Sequence, residues 1–289
     1  MRPILAELLD LLRLEAIEVN LFRGQSQDLG WGAVFGGQVL GQALSAAAHT
    51  VPPERTVHSL HAYFLRQGDA RRPIVYEVDR IRDGRSFTTR RVVAVQGGRA
   101  IFSLSASFQV AEAGLEHQDV QMPDVPAPED VVSDQEALRR RADELPEVFR
   151  TRALADRPIE ARSVEPLDIL APEVRPPVRR VWIRAVDALP DDPAVHHYLL
   201  AYASDFSLLT TALLPHGLSW VSPRMQVASL DHAMWFARPF RMDDWLLYVI
   251  DGPTASGGRA LVRGSFFDRS GRLVASTAQE GLIRRWPER

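Results

Sequence analysis

The stretch AYASDFSLLTTALL, residues 201–214, decides the fold, because it is a long apolar segment followed by four segments with strand periodicity. A helix that is apolar along most of its length is buried on all sides. A carboxylate inside such a helix, here Asp205, destabilises the protein unless it is paired or used. Helix chemistry alone leaves two interpretations open: Asp205 caps the helix or occupies its first turn, where acids suit the helix dipole, or it is a functional group.

The same order of elements occurs earlier in the chain. A Gly-rich passage over 30–38 leads into a helix of small residues over 39–48, which predicts that something approaches its backbone closely. Period-two patterns then predict four strands in each half, over 57–64, 74–78, 87–95 and 100–110 and over 225–236, 245–250, 259–267 and 273–284. Further elements are a first helix over 3–15 and strands over 17–22, 158–164 and 178–185.

These two halves indicate an internal duplication. Tyr76 and Tyr248 stand 172 residues apart at matching points of their strands, as do Arg91 and Arg263. A long buried helix wrapped by a curved antiparallel sheet, twice in one chain, is the α+β double-hotdog architecture. We expect the two sheets to join edge to edge, because this removes two open strand edges, and the two central helices to lie close together.

The composition shift after residue 110 indicates how the chain is divided. Acids, prolines and a helical patch around 136–147 predict a partly mobile linker. We therefore expect an N-terminal hotdog module over 1–112, a linker with helical segments over 113–155, and a C-terminal hotdog module over 156–289.

Composition excludes several classes of function. The formal net charge of −3 provides no general basic field for nucleic acid. The chain has no cysteine and all 34 basic residues are arginine, which excludes thiolate metal sites, cysteine nucleophiles and Schiff-base lysines. No targeting segment stands out at either end and no run is long enough to cross a membrane, so we expect a cytoplasmic protein without stable membrane association.

Five segments, in order, carry a specific resemblance. VHSLHAYF (57–64), RDGRSF (82–87), AYASD (201–205), DHAMWF (231–236) and STAQEG (276–281) resemble segments of the acyl-CoA thioesterase II family. The resemblance covers nearly the whole chain and is weakest over 111–155. It implies a double hotdog that hydrolyses acyl-CoA to free acid and coenzyme A. Carried over by motif, the family's catalytic aspartate, hydroxyl and amide fall on Asp205, Ser229 and Gln279.

The chemistry of these three residues suits thioester hydrolysis. The reaction needs a nucleophilic water and a stabilised carbonyl oxygen. A buried carboxylate is a competent base, and Ser229 and Gln279 provide hydrogen bonds that hold the water or orient the acid. Peptide N–H groups at the start of the helix are expected to bind the oxyanion. Ser229 is not expected to be a nucleophile, because no Gly-x-Ser-x-Gly elbow surrounds it.

One active site per chain follows, in the C-terminal half. Ser59 and Gln109 stand at places resembling Ser229 and Gln279, but the region 35–38 of the first helix contains no acid. The N-terminal half is therefore expected to shape the pocket. The phosphates of coenzyme A are expected to bind arginine, and the candidates by residue type are Arg85, Arg90, Arg259 and Arg263.

Three histidines suggest a metal site, but we expect none. His58, His61 and His232 lie on predicted strands, and no acid follows at a spacing that completes a ligand set. His196 and His197 are expected to precede the second helix and to be structural. We expect no cofactor.

Two rival functions stay open. A hotdog enoyl-CoA hydratase or dehydratase needs an acid–base pair, commonly Asp with His, and no histidine follows Asp205 until His216. A non-catalytic acyl-CoA-binding protein would carry the same residues. Hotdog sheets commonly pair further, so we expect a homodimer or a higher homo-oligomer. Chain-length preference depends on pocket depth, which a few side chains in the gap between helix and sheet determine.

Overall fold

The computed structural model describes residues 1–30, 32–145, 147, 150 and 154–287. Its α-helices, in chain order, are α1 (Pro3–Leu12), α2 (Gly36–Ala48), α3 (Asp134–Arg140), α4 (Pro193–Ser204) and α5 (Leu208–Leu213). Its strands are β1 (Glu15–Glu18), β2 (Leu21–Gly24), β3 (Arg55–Phe64), β4 (Ile74–Asp83), β5 (Phe87–Gln96), β6 (Arg99–Val110), β7 (Ile159–Ser163), β8 (Val178–Ala185), β9 (Met225–Ser229), β10 (Asp231–Phe236), β11 (Leu246–Ser256), β12 (Arg259–Asp268) and β13 (Leu273–Arg285).

The strands form one continuous antiparallel sheet. Its order is β1-β2-β4-β5-β6-β3-β10-β13-β12-β11-β8-β7, and β9 pairs with β13 beside β10. The pairing of β3 with β10, from Ser59 opposite Trp235 to Tyr63 opposite Asp231, joins the sheets of the two halves edge to edge. This arrangement confirms the predicted α+β double hotdog.

The core lies between this curved sheet and the central helices. Nearly the whole of α2 is buried, and it packs against α4 as well as against β3 to β6. Helix α5 packs against β9 and β11 to β13 in the second half. A Cβ on Gly41 of α2 would lie 3.1 Å from the backbone oxygen of Tyr198 in α4, so the small residues of α2 let the helices approach closely. The expectation of neighbouring central helices is confirmed.

An approximate two-fold relation connects the halves, and its axis passes through the β3–β10 junction. His61 pairs with Ala233, 172 positions later, at the centre of this junction. The β4–β5 ladder is interrupted by a bulge between positions 79 and 82, and the β11–β12 ladder by one between 251 and 254, again 172 positions later. The offset of 172 therefore holds for strands β3, β4 and β5, and it is 173 for β6, whose counterpart is β13.

Several predicted boundaries were wrong. The first helix ends at Leu12, and the strand predicted over 17–22 is instead a hairpin of β1 and β2 that turns at Asn20, whose φ is +63°. The strand predicted over 225–236 is divided at Leu230 into β9 and β10. A period-two pattern continues across such a turn or break, so it does not reveal where the pairing partner changes.

The most consequential error concerns residues 201–214. Helix α4 begins at Pro193, with Asp192 as its N-cap, and ends at Ser204. Asp205 is the C-cap, and Ser207 has a φ of +73°, a left-handed conformation that separates α4 from α5. Asp205 therefore follows the last turn of a helix and does not begin one. His196 and His197 lie inside α4, not before it.

Residues of the predicted linker contact the C-terminal half. Met122 and Val125 pack against a cluster that includes Trp182, whose Nε1 donates to the backbone oxygen of Pro126 at 3.0 Å. The division at 112/113 and 155/156 stays a prediction. Within the described ranges, no helix combines the length and apolar character needed to span a bilayer.

Candidate active site

The three residues named from sequence meet at the carboxylate of Asp205. Its Oδ1 accepts a hydrogen bond from Nε2 of Gln279 at 2.8 Å and a longer one from Oγ of Ser229 at 3.3 Å. The backbone N–H of Gly37, at the start of α2, also donates to the carboxylate. The site therefore combines an acid and two side chains of the C-terminal half with the helix terminus of the N-terminal half.

Two glycines of α2 make this approach sterically possible. A Cβ on Gly36 would lie 2.5 Å from Oδ2 of Asp205, and one on Gly37 would overlap the backbone oxygen of Tyr202. The N-terminus of α2 carries partial positive charge and unpaired peptide N–H groups, which favour an anion at this position. The sequence predicted that the start of a helix, with its peptide N–H groups, lies beside Asp205. The helix that begins there is α2, and not α4, which ends at the acid.

The environment raises the pKa of Asp205. Desolvation by the surrounding protein is the main cause, and the hydrogen bonds from Gln279, Ser229 and Gly37 act in the opposite direction. Asp205 as a whole residue is half-buried. A carboxylate that is poorly solvated and still reachable by water is a suitable general base.

Strand geometry brings Ser229 and Gln279 to the acid. Ser229 is the last residue of β9, next to the break at Leu230, while Gln279 lies within β13 and is 1% exposed. Oε1 of Gln279 is buried and has no hydrogen-bond partner among the described residues. Because Nε2 of the same amide binds Asp205, this free acceptor lies beside the carboxylate.

A buried polar cluster supports the end of α4. The hydroxyl of Tyr248 donates to the backbone oxygen of Ser204 at 3.0 Å and lies 3.1 Å from Oγ1 of Thr277. Oγ of Ser204 lies 2.9 Å from Nε2 of His232. Burial lowers the pKa of His232 to about 3, so this histidine is neutral at ordinary pH. The cluster fixes the residue that precedes Asp205.

Aromatic side chains adjoin the site, and sequence reasoning did not single them out. Phe35, which precedes the glycines of α2, stacks on Phe206 at a centroid distance of 4.2 Å. Tyr202 meets both rings edge-on, at 5.3 Å and 5.6 Å. The available signal was the adjacency of Phe35 to a Gly-Gly pair and of Phe206 to Asp205.

The four candidate arginines are not brought together. Arg90 is buried, with bonds to Thr50 and an ion pair of 2.6 Å to Asp83, so its guanidinium is occupied within the first half. The other three are exposed: Arg259 and Arg263 form surface ion pairs with carboxylates of neighbouring strands, and Arg85 lies in the β4–β5 turn.

The three strand histidines have separate surroundings. His58 bonds to Oγ of Ser107 at 2.8 Å, exposed His61 lies edge-on to Trp235 at 5.3 Å, and His232 is behind the site on Ser204. Neither an Asp205–histidine pair, which a hydratase would need, nor a shared histidine cluster is formed by these residues.

The first-half equivalents proposed from sequence were wrong in register. Ser59 pairs with Ser107 and with Trp235, whereas Gln109 pairs with Thr56 and its amide donates to Glu112. Offsets of 172 and 173 instead make Val57 the counterpart of Ser229 and Ala106 the counterpart of Gln279. Both counterparts are apolar and buried, so the first half lacks the hydroxyl and the amide as well as the acid.

Comparison with known proteins identifies the family. The acyl-CoA thioesterase model matches residues 148–282, and the model of the acyl-CoA thioesterase N-terminal domain matches residues 26–109. Acyl-CoA thioesterase 2 of Haemophilus influenzae is 44% identical, over 98% of this chain and 99% of that protein. The chain belongs to the acyl-CoA thioesterase family.

Solved structures agree with this thioesterase family. The crystal structure of an acyl-CoA thioesterase II, TesB2, from Mycobacterium marinum is 46% identical and covers 96% of this chain and 98% of its own, with a TM-score of 0.78. A hot-dog-fold protein of unknown function from Alicyclobacillus acidocaldarius is 21% identical, with 97% of this chain and 99% of its own covered and a TM-score of 0.77, and it supports the fold alone.

Proposed function

We propose that this thioesterase-family protein hydrolyses fatty acyl-CoA to a free fatty acid and coenzyme A, using a water activated by Asp205. The observation that carries the proposal is the carboxylate itself. It is poorly solvated and is held by Gln279, Ser229 and Gly37, on a residue that is half-buried as a whole. The relatives named above support the substrate class.

In the proposed reaction, Asp205 accepts a proton from a water molecule as that water attacks the thioester carbonyl. The free Oε1 of Gln279 is placed to accept the water's second hydrogen, so that a lone pair is directed at the carbonyl carbon. The N-terminus of α2 favours the negative charge that develops on the carbonyl oxygen. The tetrahedral intermediate then collapses with cleavage of the carbon–sulfur bond, and coenzyme A leaves as the thiol by taking the proton that Asp205 accepted, which regenerates the carboxylate.

The test is thioester hydrolysis monitored with a thiol-reactive dye, comparing the native protein with Asp205→Asn. We expect the native protein to turn over and the variant to lose at least a hundredfold in kcat. Absence of turnover on acyl-CoAs of every chain length would refute the activity, and equal rates would refute the base. An acyl group trapped on Ser229 in a quenched reaction would refute direct attack by water.

Coenzyme A is proposed to bind through arginine. Of the arginines predicted from sequence, Arg85 is exposed and forms no ion pair within the described part of the chain, which makes it the candidate we retain. Arg85→Ala should raise KM for acyl-CoA and leave KM for the phosphate-poor acyl-pantetheine unchanged. Equal KM shifts for both substrates would contradict phosphate binding.

We also propose a homodimer or higher homo-oligomer that acts in cytoplasmic fatty acid and lipid metabolism without stable membrane association. Tyr63 and Trp235 are 62% and 43% exposed on the outer face of the β3–β10 junction, and exposed aromatic residues on a sheet favour association. Light scattering should give a mass of at least two chains, reduced by Trp235→Glu. A monomeric native protein would refute the assembly, and cell fractionation tests the location.

A further inference from the structure

The start of α2 meets the reactive carboxylate, and a buried amide fixes this helix a few residues further along. The side chain of Gln42 is fully buried. Its Nε2 donates to the backbone oxygens of Leu11 at 2.6 Å and Gln25 at 2.9 Å. Its Oε1 accepts from the hydroxyl of Tyr76 at 2.6 Å and from Nε2 of Gln38 at 3.3 Å. These bonds use the full donor and acceptor capacity of the amide, so its position is determined from every side.

The neighbouring glutamine extends this network to the loop that leads into α2. Gln38 is 1% exposed, and its Nε2 also donates to the backbone oxygen of Gln25 at 3.0 Å. Its Oε1 accepts from the backbone N–H of Gln27 at 3.1 Å. The loop ends at Phe35, the N-cap of α2, whose ring stacks on Phe206 next to the acid. The network therefore ties this loop, α1 and β4 to the first two turns of α2.

Two polar anchors hold α2 along its axis. One is the glutamine network, and the other is Arg90, which binds Thr50 beyond the C-terminal end of the helix. The remaining residues of α2, Ser45 excepted, are apolar or glycine, and apolar contacts are non-directional. Gln42 is the anchor nearer to the acid, because it lies about 7.5 Å along the helix axis from Gly37. The network therefore determines where the first turn of α2 lies.

A tyrosine at the equivalent strand position holds the other helix of the site. Tyr248 corresponds to Tyr76 at the offset of 172, and its hydroxyl donates to the backbone oxygen of Ser204, the last residue of α4, at 3.0 Å. Both tyrosines are buried. Each half thus uses the same strand position to hold its central helix, and the two helices meet where the N–H of Gly37 donates to Asp205.

We propose that Gln42 and Tyr76 are positioning residues for the reaction at Asp205, an inference that rests on the proposed thioesterase activity. They hold α2 at the axial position from which the N–H of Gly37 donates to the carboxylate and the helix start favours the developing oxyanion. A slip of α2 by about 0.5 Å, half of a displacement that costs about a hundredfold, costs about tenfold in rate. Contacts that bind the substrate elsewhere are unaffected, so the loss falls on kcat and not on KM.

The test is the pH dependence of kcat for Gln42→Met and Tyr76→Phe. Methionine is unbranched like glutamine and lacks its amide, and phenylalanine lacks only the hydroxyl. We expect kcat to fall about tenfold for Gln42→Met and about threefold for Tyr76→Phe, with KM within about twofold of the native value.

The acid limb of the pH profile should move to higher pH in both variants. The hydrogen bond from Gly37 lowers the pKa of Asp205, and this bond weakens when α2 slips. Tyr248 is the titratable side chain that interacts with Asp205, and burial raises its pKa, so its phenol stays neutral over the range of the assay. A loss of folded protein alone would lower the rate without moving the limb.

Gln118→Met is the matched control, because the amide of Gln118 also binds backbone groups, but in the second half. It donates to the oxygen of Gly271 at 2.9 Å and accepts from the N–H of Leu273 at 2.7 Å. This variant should keep the native kcat and pH profile. The double variant of Gln42→Met with Tyr76→Phe should be no slower than Gln42→Met alone, because Tyr76 acts through Gln42. Additive losses would overturn the role of Tyr76, and an unmoved acid limb in Gln42→Met would overturn the positioning role.

Two further measurements keep the inference separate from folding and from the activity itself. If circular dichroism shows Gln42→Met to be unfolded, Tyr76→Phe decides the question through the same pH profile. If the native protein hydrolyses no thioester, the proposed function fails, and nuclear magnetic resonance of protein with isotope-labelled glycine tests the positioning instead. The amide proton shift of Gly37 should then follow the ionisation of Asp205, with a midpoint at lower pH in the native protein than in the variants. Equal midpoints would overturn the inference.

Discussion

The substitution Gly36→Ala should separate activity from stability. Its methyl group would lie 2.5 Å from Oδ2 of Asp205 and 2.9 Å from a ring carbon of Phe64, whereas ordinary Cβ contacts begin at 3.4 Å. To relieve the closer contact, the carboxylate must move by about 0.9 Å. A displacement of about 1 Å costs about a hundredfold in rate when a reacting group is misplaced. The same movement would disturb the 2.8 Å hydrogen bond from Nε2 of Gln279 to Oδ1 of Asp205. Alanine is favoured over glycine in a helix by about 1 kcal/mol, which offsets part of the steric strain.

The assay is steady-state hydrolysis of octanoyl-CoA, with urea unfolding of the same samples. Gly41→Ala is the matched control, because Gly41 lies on the same buried helix and its added methyl group would meet Leu12 and Tyr198, remote from the carboxylate. We expect kcat to fall about a hundredfold for Gly36→Ala and less than fivefold for Gly41→Ala. If Gly36→Ala keeps kcat within twofold of the native enzyme, the close approach of α2 to the acid has no catalytic role.

Three further outcomes follow from buried ionisable side chains. Asp205→Asn should be more stable than the native protein, by a margin that grows as pH rises from about 4. The reason is that the raised pKa of Asp205 makes the native fold lose stability as the acid ionises. Urea unfolding across pH checks this, and a constant margin would contradict it. Arg90→Met should destabilise the fold by about 2–4 kcal/mol, because it removes the buried bonds to Thr50 and Asp83. The exposed Arg263→Ala should change the stability by less than about 0.5 kcal/mol in thermal denaturation. Similar values for the two variants would contradict a stabilising role for the buried bonds of Arg90. Because burial lowers the pKa of His232, the native fold loses stability as pH falls from 6.5 towards about 3. His232→Asn should therefore show a shallower acid unfolding profile by circular dichroism. An unchanged profile would exclude the burial of His232 as the cause of this loss.

The order of the elements and the type of each element, helix or strand, were predictable from the sequence, because buried helices and half-buried strands have different periods. The repeat of helix followed by four strands led to the double hotdog, and the family's motifs led to Asp205, Ser229 and Gln279, which meet in the structure. The position of Asp205 within its helix was not predictable from the apolar stretch alone. The start signal, Asp192 followed by Pro193, lies upstream, and it was outweighed by the apolar run.

The sequence predicts that the N-terminal half shapes the pocket, but it does not reveal which residues of that half reach Asp205, for a different reason. Gly36 and Gly37 look like an ordinary helix start, and only the packing of α2 against α4 reveals that they face Asp205. The equivalence of Ser59 with Ser229 was wrong because these two serines match in residue type at an offset of 170, whereas the ladders fix the offset at 172, the value that Tyr76 and Tyr248 give. A match of identical residues gives no information on which face of a strand they occupy.

The two-fold junction at His61 and Ala233 has a consequence for how such a site can specialise. In a dimer of two identical chains, every substitution appears twice, once on each side of the axis. An arginine that is buried in one half would then be buried in the other, and an acid with its serine partner would be present in both halves. Joining both halves in one polypeptide removes this constraint. Position 90 can be arginine while position 262 is valine, so one half can stabilise the fold while the other carries the reactive side chains.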